Sequence, residues 1–157
     1  MNPAGNMKTL LCITTCGNQK IWDKNPTAGP TKAKNVYIGQ FATKCREYAE
    51  KFHQSSWCIL SAKHGFLFPD DIVPCSYNVS FNDKKTNPIT VRELRAQVTE
   101  MGLDKYSGIV VLGGRKYVAI IKEVFPTKEI LSPLGDCKGI GYMMGRLNDA
   151  IKRGVSL

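Results

Sequence analysis

The sequence predicts an α/β fold: a three-layer α/β/α arrangement around a central, mainly parallel sheet of four strands. Three observations lead there. Short apolar runs without polar alternation read as strands buried on both faces. Amphipathic helical patterns separate these runs, as crossover connections between parallel strands require. The segments that follow the runs are rich in glycine, amides and cations, the composition of ligand loops at the carboxyl edge of such a sheet.

The strands are TLLCITT at 9–15, WCILSA at 57–62, GIVVLG at 108–113 and the weaker KEILSP at 128–133. A helix is expected over 35–53, where Phe41, Cys45, Tyr48 and Phe52 recur at helical spacing behind Asn35 as N-cap. The segment 90–102 opens on a Thr-x-x-Glu capping box and closes on Gly102, 114–125 ends before Pro126, and 139–153 forms a last helix. Two connections, 16–34 and 63–87, are longer than usual for a compact domain, and such loops carry function or motion.

With 157 residues, 43% of them hydrophobic and 22% charged, the chain fits one soluble domain spanning 1–157, with residues 1–6 an extension before Met7. No apolar run reaches the roughly 20 residues of a membrane span, and the N-terminus lacks the pattern of a secretory signal. Cysteines stand at 12, 16, 45, 58, 75 and 137 without any Cys-x-x-Cys pair, so a reduced cytoplasmic setting is expected, with no metal site and no cofactor. A net charge of +9 favours nucleic acid or a nucleotide as partner and argues against no fold in particular. The oligomeric state is left open.

If the sheet is parallel, the residues after its strands, 16–20, 63–65, 113–115 and 133–141, share one rim. In ILSAKHGF (59–66) the end of a buried strand delivers Lys63 and His64 to that rim, with Gly65 permitting a sharp turn. Lys63 there either binds an anion, acts as base or nucleophile, or reaches solvent; His64 either exchanges protons or bonds a carbonyl. In TTCGNQKIW (14–22) the small and polar residues Cys16, Gly17 and Asn18, followed by Gln19 and Lys20, suit an anion or a base edge, or an ordinary polar turn. In LGGRKY (112–117) Gly113, Gly114 and Arg115 open a helix whose free N–H groups favour an anion. SPLGDCKGIGYMMG (132–145) reads as close helix packing. Within FPDDIVPCSYNVSF (68–81), Asp70 could act as a base, Asp71 reads as a turn former, and Tyr77 and Asn78 could stack on and bond a planar ring.

The strings TCGNQK, VYIGQFATKCREYAE, LSAKHGFLFPDD, VVLGGRKY and SPLGDCKGIG together resemble an uncharacterised family of small phage and prokaryotic proteins, over nearly the whole chain. The first motif is also similar to one in the core domain of archaeosine synthase, whose fold class is that of uracil-DNA glycosylases. The resemblance points to Cys16, Lys20, Tyr37, Phe41, Ser61 through Gly65, Pro69 and Asp70. Pro74-Cys75-Ser76-Tyr77-Asn78 stands where that family has Pro-Tyr-Asp, so an amide replaces an aspartate.

The implied function is a nucleobase-handling enzyme, acting on nucleic acid or a nucleotide by N-glycosidic cleavage or exchange or by base modification. Lys20, Lys63, His64 and Asp70 are its expected catalytic residues. Cys16, Gly17, Asn18, Tyr37, Ser61, Gly65, Tyr77, Asn78, Gly113, Gly114 and Arg115 are expected to bind substrate, with Tyr37 stacking on the base. The alternative is a non-enzymatic nucleic-acid or nucleotide binding module of phage or host-defence origin.

Overall fold

The computed structural model describes residues 9–157, so the expected extension at 1–6 lies outside the described residues. Strand β1 (Leu10–Thr15) is the centre of the sheet. It pairs in parallel with β3 (Trp57–Ser61) on one side and with β6 (Gly108–Leu112) on the other, and β7 (Glu129–Leu131) extends the β6 side. The four expected strands therefore form and run parallel. A fifth, β4 (Gly65–Leu67), lies antiparallel on β3, giving the order β4-β3-β1-β6-β7.

The sheet is buried because its strands are apolar on both faces. Cys12, Ile59 and Val110 pack on one face under α3 (Gln40–Phe52) and α6 (Ile140–Arg153), against Cys45, Tyr48 and Leu147. Leu11, Ile13 and Leu60 pack on the other under α4 (Val91–Glu100) and α5 (Arg115–Val124), against Leu94, Val98 and Ile121. The expected capping box of α4 is present: Glu93 N–H donates to Thr90 Oγ1 at 3.1 Å, and Thr90 N–H to Glu93 Oε1 at 3.3 Å. Gly102 then takes φ 68°, ending the segment.

The long connections differ from expectation. The helix expected at 35–53 is two: α2 (Ala33–Val36), and α3 beginning only at Gln40. Asn35 lies inside α2, so it caps nothing. The break occurs because Tyr37 is drawn into an extended bridge with Lys20, and Ile38 N–H donates to Gln19 O at 3.1 Å. The loop 16–34 also contains α1 (Ile21–Lys24) and β2 (Thr31–Lys32), and β2 pairs antiparallel with β5 (Ile72–Val73) from the other long loop. Ala33 N–H donates to Asp71 O at 2.7 Å and Lys34 N–H to Pro69 O at 3.0 Å. The two long loops thus satisfy each other's backbone and become one structured lobe beside the carboxyl edge of the sheet.

Candidate functional site

The chain leaves β1 toward α3 on one face and β6 toward α5 on the other, so the edge between these neighbouring strands is a topological switch point, where α/β sheets open a crevice. A cleft of about 660 Å³ lies there. The first loop (Cys16 to Gln19) and the start of α5 (Gly114 to Tyr117) border it, facing Phe41 of α3 and Ile140, Met143 and Met144 of α6. Three of the four expected rim segments thus meet in one cavity.

Three helices begin at this cleft, and all three begin without a cap. Gly39, Gly114 and Gly139 are the N-cap residues of α3, α5 and α6, and a glycine has no side chain with which to bond the first-turn N–H groups. A side chain could be carried at each: an added Cβ meets nothing closer than 4.0 Å at Gly39 and 3.6 Å at Gly114, and nothing within 4 Å at Gly139. The glycines leave positive helix ends open toward the cleft. Gly113 has a different reason, because a Cβ there would sit 2.8 Å from Thr15 Cγ2 and 3.3 Å from Tyr117 Cβ. It is required by packing and is itself buried, which corrects its assignment to substrate binding.

Behind the first loop lies a second group of residues, centred on Tyr77. Its hydroxyl shares a short hydrogen bond with the hydroxyl of Tyr37 and lies 2.7 Å from Ser61 Oγ. Ser61 Oγ also accepts the backbone N–H groups of Lys63 at 3.3 Å and His64 at 3.1 Å. The β3–β4 hairpin carries Lys63 and His64 at its tip; Ser61 pairs with Gly65, which takes φ 75°. Gln97 locks the tip, accepting from Phe66 N–H and donating to His64 O, both at 2.8 Å.

Around the Tyr77 ring stand Lys20 Nζ at 4.4 Å from the centroid, Lys63 Nζ at 5.8 Å, and His64, edge-on, at 5.1 Å. Lys20 is only 6% exposed, and its ammonium donates to Asn18 O at 3.4 Å. Burial, and secondarily the charge of Lys63, hold the His64 imidazole below its ordinary value, which favours its neutral form. Its Nε2 is enclosed and has no hydrogen-bond partner among the described residues. Burial pushes the Tyr37 phenol up to about 12 and Tyr77 higher still, so both keep their protons. Burial likewise pushes the Cys16 thiol up, against smaller pulls from the Ala62 backbone, Lys20 and Tyr117.

Lys20, Lys63 and His64 are therefore brought together, as expected, with Tyr77 as their common partner. Cys16, Gly17, Asn18, Gly114 and Arg115 line the neighbouring cleft, and Asn78 lies with Lys20 in a smaller hollow. Besides Gly113, four expectations are corrected. Asp70 stands apart, in ion pairs with Lys34 at 3.3 Å and Lys32 at 3.6 Å, lowered by the Lys34 ammonium above all. Tyr37 is packed in the core with its hydroxyl on Tyr77 and, unlike Lys20, borders neither the cleft nor the smaller hollow, so it is not placed to stack on a base there. Ser61, with no exposed surface, is the keystone of the hairpin and not a ligand contact. Gly65 is a backbone requirement, since its φ of 75° is one that residues with a Cβ rarely adopt, and an added Cβ would also displace the Gln97 amide.

Sequence reading missed Gln97, Phe41 as cleft wall, and the α3 N-cap at Gly39, while the start of the last helix at 139 falls on the α6 N-cap. The Gly39-Gln40-Phe41 string was a usable signal, a glycine opening an amphipathic helix. Among the described residues no group of three or more His, Cys, Asp and Glu is placed to hold a metal ion, and no helix is long and apolar enough to cross a membrane.

Comparison with known proteins agrees with the breadth of the sequence resemblance. The chain is 44% identical over 143 residues to the uncharacterized protein YfjM of Bacillus subtilis (strain 168), covering 90% of this chain and 95% of that protein. No solved structure matches. A family model described as a family of unknown function, DUF6884, matches residues 13–148. The likeness thus runs from the middle of β1 into α6 and takes in both the cleft and the Tyr77 group, and the chain belongs to the DUF6884 family.

Proposed function

We propose that this chain is an enzyme that handles a nucleobase, in a nucleotide or in nucleic acid, by cleaving or exchanging an N-glycosidic bond or by modifying the base. The finer fold assignment, a uracil-DNA glycosylase-like sheet, belongs to the same proposal. The observation that carries it is the pairing of a buried lysine and a histidine whose neutral form is favoured, both on Tyr77, with a switch-point cleft whose walls suit a planar ring. Phe41, Met144 and Tyr117 supply the apolar side, and the amides of Asn18 and Gln19 can pair with a base edge.

In hydrolysis, the oxygen of water bonds to C1′ as the C1′–N bond breaks and its electron pair leaves with the base. The proton taken from water by His64 balances the one the departing base takes up. Lys20 and Lys63 hold negative charge nearby, and a base within a duplex must first be flipped out to reach the cleft.

The test is incubation with modified and unmodified DNA, tRNA and nucleotides, with chromatography for released or altered base. Product that is lost in Lys63→Ala supports the reading. No product from any of them, with Lys63→Ala behaving as wild type in ligand binding, removes it. The non-enzymatic binding module draws support from the net charge of +9. Its signature is affinity for any polynucleotide that falls steeply between about 50 and 200 mM salt.

A further inference from the structure

Lys20 and Lys63 approach the same aromatic ring, yet neither makes an ion pair among the described residues. The ion pairs lie elsewhere, on Lys32, Lys34, Lys44, Arg46, Arg146 and Arg153. Lys20 is the more demanding of the two. It is 94% buried, and its ammonium has one long hydrogen bond, 3.4 Å to Asn18 O, and the face of Tyr77. The nearby acid, Asp23, is committed to the backbone: its Oδ2 accepts Lys20 N–H at 2.8 Å. Burying an ammonium with so little compensation destabilises a fold, and such groups persist where a ligand uses them.

A hollow of about 370 Å³ opens on Lys20, and Asn18, Ser76, Tyr77 and Asn78 wall it together with Asp23. One buried cation, a hydroxyl and two amides are donors in the hollow for a small group with several anionic oxygens, Asp23 Oδ2 being held by the Lys20 backbone. The exposed Lys63 stands outside it, 5.8 Å from the Tyr77 ring centre. A phosphate monoester fits best, because it brings close to two negative charges near neutral pH and three acceptor oxygens. Asn18 also borders the cleft, so a group in the hollow and a ring in the cleft can belong to one molecule.

We propose that the Lys20 hollow is a phosphate-binding site and that the ligand is a nucleoside phosphate carrying a terminal phosphate monoester. This rests on the nucleobase reading above for the nucleoside part alone. Lys20 holds the phosphate, Ser76 and Asn78 complete its oxygens, and Lys63 adds charge from the hairpin tip.

The experiment is calorimetric titration and thermal melting with inorganic phosphate, a nucleoside, its 5′-monophosphate and a dinucleotide joined by a phosphodiester. Phosphate and the monophosphate should raise the melting temperature, the nucleoside much less. Lys20→Met should weaken monophosphate binding about tenfold or more, a loss of one charged contact. The same variant should melt higher than wild type without ligand, an outcome that a merely structural lysine would reverse. Ser76→Asp, a change at an exposed position, should also abolish phosphate binding while leaving the fold intact.

Equal binding of nucleoside and monophosphate, or phosphate affinity untouched by both variants, overturns the site while leaving the nucleobase reading standing. Phosphate binding without preference for any nucleotide leaves the site standing and removes the nucleobase reading. A dinucleotide that binds as tightly as the monophosphate overturns the monoester assignment.

Discussion

The ammonium of Lys20 lies 4.4 Å from the centre of the Tyr77 ring, although 56 residues of chain separate the α1 N-cap from the loop that follows β5. The tyrosine is held there by its hydroxyl, which meets Tyr37 and Ser61, both buried. Three segments distant in sequence therefore define one position.

Ser61→Ala should destabilise the protein by about 1–3 kcal/mol, because one hydroxyl serves the backbone N–H groups of Lys63 and His64 and the Tyr77 hydroxyl, and alanine leaves them unpaired. Urea denaturation measures the change, and a neutral result would mean that water replaces the hydroxyl. Tyr77→Phe, which leaves the ring over Lys20 but removes the hydroxyl that meets Tyr37 and Ser61, should cost about 1 kcal/mol by the same measurement.

Gly65→Ala should cost about 3 kcal/mol. Its φ of 75° is strained for any residue with a Cβ, and that atom would collide with Gln97 Oε1 and break the two bonds that lock the hairpin tip. Loss of Lys63 and His64 placement should follow, seen as a fall in ligand-induced melting shift beyond the fall in stability.

Stability should decline on both sides of neutrality. Cys12, Cys45 and Cys58 are buried thiols pushed up by burial, and Tyr37 is pushed up to about 12. In each case the unfolded chain ionises first, so stability is full below the unfolded value, about 8.5 for a thiol, and is lost as pH rises above it. Each such thiol removes about 1.4 kcal/mol per pH unit in that range. His53 and His64 are pulled down by burial, so the unfolded chain takes up protons first as pH falls below about 6.5, and stability drops on that side too. Urea midpoints from pH 5 to pH 10.5 would show a dome, and a flat alkaline limb would contradict the buried thiols.

Cysteine reactivity gives an independent check of the cleft. Cys75 is exposed, whereas Cys16 lies half-buried with its thiol pushed up by burial. Alkylation at pH 8 followed by mass spectrometry should label Cys75 first and Cys16 slowly. A cleft ligand should slow Cys16 further and leave Cys75 unchanged.

Asp70→Asn should leave ligand binding and turnover as in wild type, since the carboxylate is exposed and pairs with Lys34 and Lys32 away from the Tyr77 group. A loss of turnover with unchanged melting temperature would return Asp70 to the mechanism.

Much of the scaffold was legible because its causes are local. Leu11, Cys12 and Ile13, or Val110 and Val111, make strands apolar on both faces, which only an interior sheet can bury. Thr90 and Glu93 announce a helix start by their own side chains. The rim placement of Lys20, Lys63 and the Gly113-Gly114 turn follows from parallel strands alone.

What the tertiary structure decided is whatever depends on partners far along the chain. Tyr37 reads as helix by periodicity, but its bridge to Lys20 breaks that helix in two. Asp70 reads as a candidate base on the loop that follows His64, but the pairing of β2 with β5 carries it to Lys32 and Lys34. Tyr77 sits in a tract with no periodicity, and only the hydroxyls of Tyr37 and Ser61 bring it onto Lys20. Local patterns record which surfaces must be buried, while the position of a loop is set by long-range hydrogen bonds whose partners no short window of sequence contains.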